Sequence, residues 1–115
     1  MPYTAYVQTV VETSAYLSAA KGAGMSEEER QAIVDVVASN PDVGAIMPRC
    51  GGARKVRFSK AGAGKSGGYR VITYFGGVDM PVFLLTVFGK GEKANLSERE
   101  KSGIAALTKA LRDFY

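Results

Sequence analysis

The stretch ARKVRFSKAGAGKSGGYRVITYFGGVDMPVFLLTVF, residues 53–88, decides the fold. It contains three runs that are typical of β-strands: Ala53–Phe58, Tyr69–Phe75 and Val82–Phe88. A glycine-rich loop, Ser59–Gly68, separates the first two runs, and a short turn separates the last two. Consecutive strands joined by short turns predict an antiparallel meander.

The first strand of this meander alternates in character along its length. Lys55 and Arg57 fall on one face, whereas Val56 and Phe58 fall on the other. The last strand, Val82–Phe88, is apolar throughout, which is typical of a central strand covered on both sides. We expect the helices to pack on one sheet face, with Lys55 and Arg57 pointing to the free face.

The residues before the meander predict a strand and two helices. Thr4–Gln8 has the composition of a strand, and Ala15–Ala20 is predicted as a short helix capped by Thr13 or Ser14. A capping box, Ser26–Glu29, starts a second helix. That helix ends at Asn40–Pro41, because a residue before proline avoids the α region.

A second capping box, Ser97–Glu100, starts a C-terminal helix with an apolar stripe of Ile104, Leu107 and Leu111. The predicted fold class is therefore α+β, with a small antiparallel sheet made of the meander and an N-terminal strand. Two N-terminal helices and one C-terminal helix flank this sheet. A length of 115 residues suits a single domain over residues 1–115.

Positive charge is concentrated in the middle of the chain. No acidic residue occurs between Asp42 and Asp79, and that window holds seven basic residues: Arg49, Arg54, Lys55, Arg57, Lys60, Lys65 and Arg70. The rest of the chain has 8 basic and 11 acidic residues, a net charge of −3. A one-sided basic patch on a near-neutral body indicates a polyanionic partner such as a nucleic acid.

The composition narrows the possible chemistry and location. There is no histidine and one cysteine, Cys50, so an ordinary zinc site is excluded and no metal or cofactor is expected. Catalysis would have to use Lys, Arg, Tyr, Ser or isolated carboxylates, and Cys50 is expected to be inert. Without a predicted membrane span, signal peptide or disulfide, the expected location is the cytoplasm.

Several local patterns allow a functional and a purely structural interpretation. Gly64-Lys65-Ser66 resembles the end of a phosphate-binding loop, but Ser59 stands where that motif needs glycine, and a strand follows instead of a helix. A flexible hairpin loop whose Lys60 and Lys65 reach phosphates is the better interpretation. On the basic strands, Tyr69 and Tyr74 are candidate stacking partners for bases.

Five further segments are informative in combination: NPDVG (40–44), GGARKVR (51–57), GAGKSGGYRVITYF (62–75), LLTVFGKGEK (84–93) and LS (96–97). Through them, residues 40–100 resemble the HigB branch of the RelE-type toxins. The resemblance implies a small antiparallel sheet with flanking helices and a metal-independent endoribonuclease. It also implies the toxin half of a type II toxin–antitoxin pair, acting on mRNA in the ribosomal A site beside 16S rRNA. The expected antitoxin is a helix-turn-helix DNA-binding protein.

Position by position, the resemblance places the family's catalytic residues on Lys55, Arg57, Arg70 and Lys90. Additional contacts with RNA or the ribosome are expected from a further set: Arg54, Lys60, Lys65, Tyr69, Tyr74 and Lys93. The chain has Gly91 where some relatives have arginine, and Ala94-Asn95-Leu96 where some have a catalytic Tyr or His. The identity of the general acid and base therefore stays open.

The predicted reaction is attack by the 2′-hydroxyl of RNA on the adjacent phosphate. Arg57 and Arg70 would stabilise the developing negative charge, because a guanidinium binds phosphate through two hydrogen bonds. Lys55, an amine among other cations, is the candidate proton acceptor, with Lys90 in reserve. Two alternatives remain: a ParE-like inhibitor of DNA gyrase, and a catalytically weak derivative that binds RNA or protein.

Overall fold

The computed structural model describes residues 7–60, 64–89 and 96–115, apart from the side chains of residue 60 and residues 64–67. The elements in chain order are β1 (Val10–Glu12), α1 (Ser14–Gly22), α2 (Glu27–Ser39), β2 (Ala45–Ile46), β3 (Arg54–Lys60), β4 (Gly64–Tyr74), β5 (Val82–Gly89) and α3 (Glu98–Phe114). The sheet order is β1-β5-β4-β3-β2, so β4 is the middle strand. The predicted α+β class and the β3–β4–β5 meander are confirmed.

The sheet is mixed, which corrects the prediction of a purely antiparallel one. β1 pairs with β5 in parallel, whereas the other pairs are antiparallel. The first strand is Val10–Glu12, not Thr4–Gln8: Gln8 lies before it and donates a side-chain hydrogen bond to the Met80 carbonyl oxygen (2.6 Å). Residues 4–6 lie outside the described residues.

Two more corrections concern the strands around the basic segment. Strand β3 runs on to Lys60 and β4 already begins at Gly64, so most of the predicted loop Ser59–Gly68 is strand. Gly68 makes this possible, because a Cβ there would collide with the carbonyl oxygen of Phe58. The sequence also gave no signal for β2, which pairs with Lys55 and Arg54 after Gly44 turns the chain at φ +95°.

Helices α1 and α2 cover one face of the sheet, which we call the α1/α2 face. Each begins as predicted: the Thr13 side chain accepts from the Tyr16 backbone N–H, and Ser26 and Glu29 form a reciprocal capping box. Tyr16 and Ile33 pack there against Val71 and Leu84 and form the first core cluster. Burial of these apolar side chains is the main force that holds the helices to the sheet.

The opposite face, which we call the α3 face, is not free as expected. A second core cluster joins Ile104 of α3 to Ile72, Phe83 and Leu85. The predicted stripe on α3 is partly wrong, because Leu107 is 41% exposed and Thr108 is fully buried in its place. Helix α3 therefore packs on this face, where Arg57 is nevertheless exposed and Lys55 and Arg70 are half-buried.

The turn after β2 fixes where α3 sits. Gly51 has φ +66° and lies so close to the Thr108 side chain that a Cβ would collide with it. The Arg112 guanidinium donates to the Gly51 carbonyl oxygen (2.8 Å). Cys50, the neighbouring residue, is fully buried. The position of α3 thus depends on a glycine at 51.

Gly51→Ala is expected to lower the free energy of unfolding by about 1–3 kcal/mol, because alanine resists the left-handed conformation and clashes with Thr108. Gly103→Ala is the matched control within α3, where an added Cβ meets no atom within 4 Å. That change should raise the free energy of unfolding by roughly 0.5–1 kcal/mol. Urea unfolding measures both, and equal effects would contradict this description of the turn.

Candidate functional site: a basic strip on the α3 face

The candidate site consists of Lys55, Arg57 and Arg70, which we call the basic strip. Arg57 and Arg70 are direct cross-strand partners, and Lys55 is the partner of Ile72. Because side chains alternate along a strand, all three project to the face that carries Ile72. Residues two apart on a strand lie about 6.5–7 Å apart, and direct partners have Cβ atoms about 5 Å apart. The structure therefore brings the three predicted residues together.

No carboxylate in the described parts of the chain forms an ion pair with the basic strip. The ion pairs lie elsewhere: Arg30–Glu12, Arg49–Glu98, Lys101–Glu98 and Lys109–Asp113. Arg57 is exposed, and Lys55 and Arg70 are half-buried. Like charges placed directly opposite on a sheet repel each other. The arrangement is thus a concentrated positive charge suited to an external anion.

Neighbouring residues of β5 complete the described part of this surface. Phe88 is the register partner of Arg70 and is buried, and Thr86 is the partner of Ile72 and is half-buried. The Thr86 hydroxyl is a hydrogen-bonding group that the sequence reasoning did not single out. In the sequence, Thr86 stands out only as a lone polar residue in an apolar strand. The pairing of Thr86 with Ile72 is what places it on the same face as the basic strip.

Four of the predicted basic residues cannot be placed around the strip. Lys90 and Lys93 lie outside the described residues. Lys60 and Lys65 lie in β3 and β4, but their side chains are also outside the described part. The roles given to these lysines remain predictions.

Arg54 lies on the opposite side of β3 from Lys55 and Arg57. Its guanidinium donates to the Gly44 carbonyl oxygen at 2.9 Å. This contact holds the start of β2 against β3, which gives Arg54 a structural role that the sequence did not suggest. Its predicted contact with RNA would have to occur away from the basic strip.

The two tyrosines predicted to stack on bases are buried, which corrects that prediction. Tyr69 is 2% exposed in the core of the α1/α2 face, and Tyr74 is 3% exposed in the core of the α3 face. A ring with so little exposed surface offers no face to a base. Both were chosen for their place beside basic residues, but strand alternation and α3 cover them.

Tyr69 has a clear structural role instead. Its hydroxyl donates to Oε1 of Glu29 at 3.2 Å, which ties β4 to the first turn of α2. Burial, followed by the negative charge of Glu29 and this hydrogen bond, raises the pKa of Tyr69. The hydroxyl is therefore protonated near neutral pH and is aimed away from the basic strip.

Few described groups near the strip could exchange protons. Burial raises the pKa of the Cys50 thiol, which agrees with its expected inertness. An arginine side chain stays protonated in proteins, so Lys55 is the member of the strip that can give or accept a proton. Within residues 7–60, 64–89 and 96–115, no cluster of three or more His, Cys, Asp or Glu side chains could hold a metal ion.

A comparison with known protein families gives a match over most of the chain. The family described as "RelE toxin of RelE / RelB toxin-antitoxin system" matches residues 13–115. The match begins at the residue that caps α1 and includes every residue of the basic strip. None of the helices described is both long and apolar enough to cross a membrane.

Tyr69→Phe is expected to lower the free energy of unfolding by about 1 kcal/mol, because it removes the hydrogen bond to Glu29. Its effect on toxicity should be negligible, since the ring does not reach the basic strip. Tyr115→Phe is the matched control, because the Tyr115 side chain is 57% exposed. Denaturant unfolding and growth inhibition measure the two effects. Loss of toxicity in a stable Tyr69→Phe variant would restore the stacking role.

Proposed function

Because the chain belongs to the RelE toxin family, we propose that it is an endoribonuclease that cuts mRNA at the ribosome and so stops translation. Family membership makes it a toxin of a toxin–antitoxin system with a cognate antitoxin. The observation that carries the proposal is the basic strip, where Arg57 directly faces Arg70 without a described carboxylate to neutralise them. Cleavage of a phosphodiester needs positive charge of this kind at the developing anion.

The proposed reaction uses a nucleophile from the RNA itself. The 2′-oxygen forms a bond to the adjacent phosphorus while the bond from phosphorus to the 5′-oxygen breaks. The products are a 2′,3′-cyclic phosphate and a free 5′-hydroxyl. Arg57 and Arg70 bind the non-bridging oxygens, which carry more negative charge in the transition state than in the substrate.

Two protons must move during this step. Lys55, in its uncharged amine form, accepts the proton of the 2′-hydroxyl and becomes an ammonium, since it is the strip residue that can lose and regain a proton. The departing 5′-oxygen takes a proton from Lys90 or from water. No metal ion takes part in the proposed reaction.

The other proposed contacts extend this surface. Lys60, Lys65 and Lys93 would bind phosphates of mRNA or 16S rRNA in the A site, and Arg54 would contact RNA from the far side of β3. The antitoxin is proposed to be a helix-turn-helix DNA-binding protein that presents acidic residues to the strip. Such an interface would associate faster at low salt, because opposite charges steer the encounter.

A second candidate is a catalytically weak RNA-binding derivative of the family. The observation that favours it is the burial of Tyr69 and Tyr74, which leaves Lys55 as the proton-exchanging side chain within the described strip. Such a protein would bind the ribosome through the same charges but would cut slowly.

Expression of the chain without its antitoxin is expected to stop incorporation of labelled amino acids before DNA synthesis declines. The reason is that mRNA loss acts directly on translation. Pulse labelling with amino acids and thymidine in the same culture measures the order. An earlier fall in DNA synthesis, with altered plasmid supercoiling, would favour a gyrase inhibitor of the ParE kind.

Lys55→Ala, Arg57→Ala and Arg70→Ala should each slow single-turnover cleavage of mRNA on programmed ribosomes by about 10²–10³-fold, as for the loss of one transition-state contact. Arg57→Lys should recover part of the rate, because it keeps the charge but loses the two-pronged geometry. Arg99→Ala is the matched control, since it removes an exposed arginine of α3 that has no proposed part in the site. A folded triple alanine variant with full activity would refute the proposed site.

A further inference from the structure

The arginines of this protein fall into two groups according to what their guanidinium groups contact. Four of them donate to a carboxylate or a backbone carbonyl oxygen: Arg30 to Glu12, Arg49 to Glu98, Arg54 to Gly44 and Arg112 to Gly51. Arg57 and Arg70 have no such acceptor among the described residues. Arg99 also has none, but it lies exposed in the first turn of α3.

Arg30 shows how this fold accommodates a half-buried arginine. Its side chain is 30% exposed, and it meets Glu12, which is 25% exposed, at 3.0 Å. Arg70 is also half-buried, but it faces a second arginine across the strand. Within the described residues, the fold therefore pairs one half-buried guanidinium with a carboxylate and places another opposite a like charge.

The backbone offers no easy relief from the repulsion between Arg57 and Arg70. Arg70 lies in the middle strand of the sheet, which is paired on both sides, so the backbone cannot move away without breaking two ladders. The buried Phe88 is its partner on the other side. Charges held near an apolar surface are screened less than charges in open water.

We infer that the Arg57–Arg70 pair couples folding stability to its ligand: an oxoanion bound between the two guanidinium groups stabilises the fold, and the empty site weakens it. This inference rests on the proposed function, because the oxoanion is the phosphate group of the RNA substrate. Beyond that function, we infer that each arginine lowers the stability of the ligand-free protein. Removing either arginine should therefore stabilise the fold, although it destroys the site.

The expected shifts follow from the size of cross-strand interactions. A like-charge pair of roughly 0.2–1 kcal/mol corresponds to a change in Tm of about 1–6 °C for a domain of this size. The shift should be largest near 10 mM salt, where the Debye length is about 30 Å, and small near 1 M, where it is about 3 Å. A ligand that binds only the folded state raises Tm further as its concentration increases.

The test compares thermal unfolding of the purified full chain with that of Arg57→Gln, Arg70→Gln, Arg57→Lys and Arg99→Gln. At low salt, Arg57→Gln and Arg70→Gln should melt about 1–6 °C higher than the wild type, and the difference should shrink at high salt. Arg57→Lys, which keeps the like charge, should melt close to the wild type. Arg99→Gln removes an exposed arginine from the first turn of α3 and so measures the effect of a lower net charge without any change at the pair.

Inorganic phosphate is the probe for the site, with sodium chloride at matched ionic strength as its control. Phosphate should raise the Tm of the wild type and of Arg99→Gln, but have little effect on Arg57→Gln and Arg70→Gln. A lower Tm in both glutamine variants, or an equal phosphate shift in every variant, would overturn the inference.

The outcome is separable from that of the proposed function, because these measurements contain no RNA and no ribosome. A chain that shows the predicted Tm shifts but does not cut mRNA would keep the inference and reject the nuclease. If the chain cuts mRNA but both glutamine variants are less stable than the wild type, the nuclease is kept and the inference is rejected.

Discussion

The register between β3 and β4 is the constraint on which the rest of the structure depends. It pairs Val56 with Val71 and, one residue further on, Arg57 with Arg70. Because side chains alternate along a strand, one register builds the core of the α1/α2 face and the basic strip of the α3 face together. A slip of one strand by a single residue would turn its charged side chains toward the helices and its valine toward water. The hydrophobic effect that fixes the core therefore also fixes the site.

The two faces of the sheet have different roles: one serves for packing, and the other combines packing with the basic strip. The α1/α2 face serves mainly for packing, and its Tyr69 hydroxyl ties β4 to α2. On the α3 face, Thr108 and Gly51 set the position of α3, so that the helix covers Phe83 and Leu85. The part of that face carrying the basic strip stays accessible, with a rigid sheet beneath it. A preorganised charge of this kind needs little rearrangement to stabilise an anion.

Features that depend on residues close together in the chain could be predicted from the sequence. Features that depend on contacts between distant segments could not. Both capping boxes and the meander were found, because each follows from residues close together in the chain. The parallel pairing of β1 with β5 was missed, since it joins segments about 70 residues apart. For the site, alternation within β3 placed Lys55 and Arg57 correctly on one face. The burial of Tyr69 and Tyr74 could not be foreseen, because it depends on which face each helix covers.

The central claim is that a toxin with this strip cuts mRNA while it is being translated. The most direct measurement is a map of new mRNA 5′ ends after brief expression of the chain in a bacterium, with and without a start codon on a reporter message. Our account predicts new 5′-hydroxyl ends within the translated reporter, their absence from the untranslated one, and their loss in the Arg57→Ala/Arg70→Ala variant. Equal cutting of both reporters would contradict ribosome dependence, and an unchanged pattern in that variant would contradict the site.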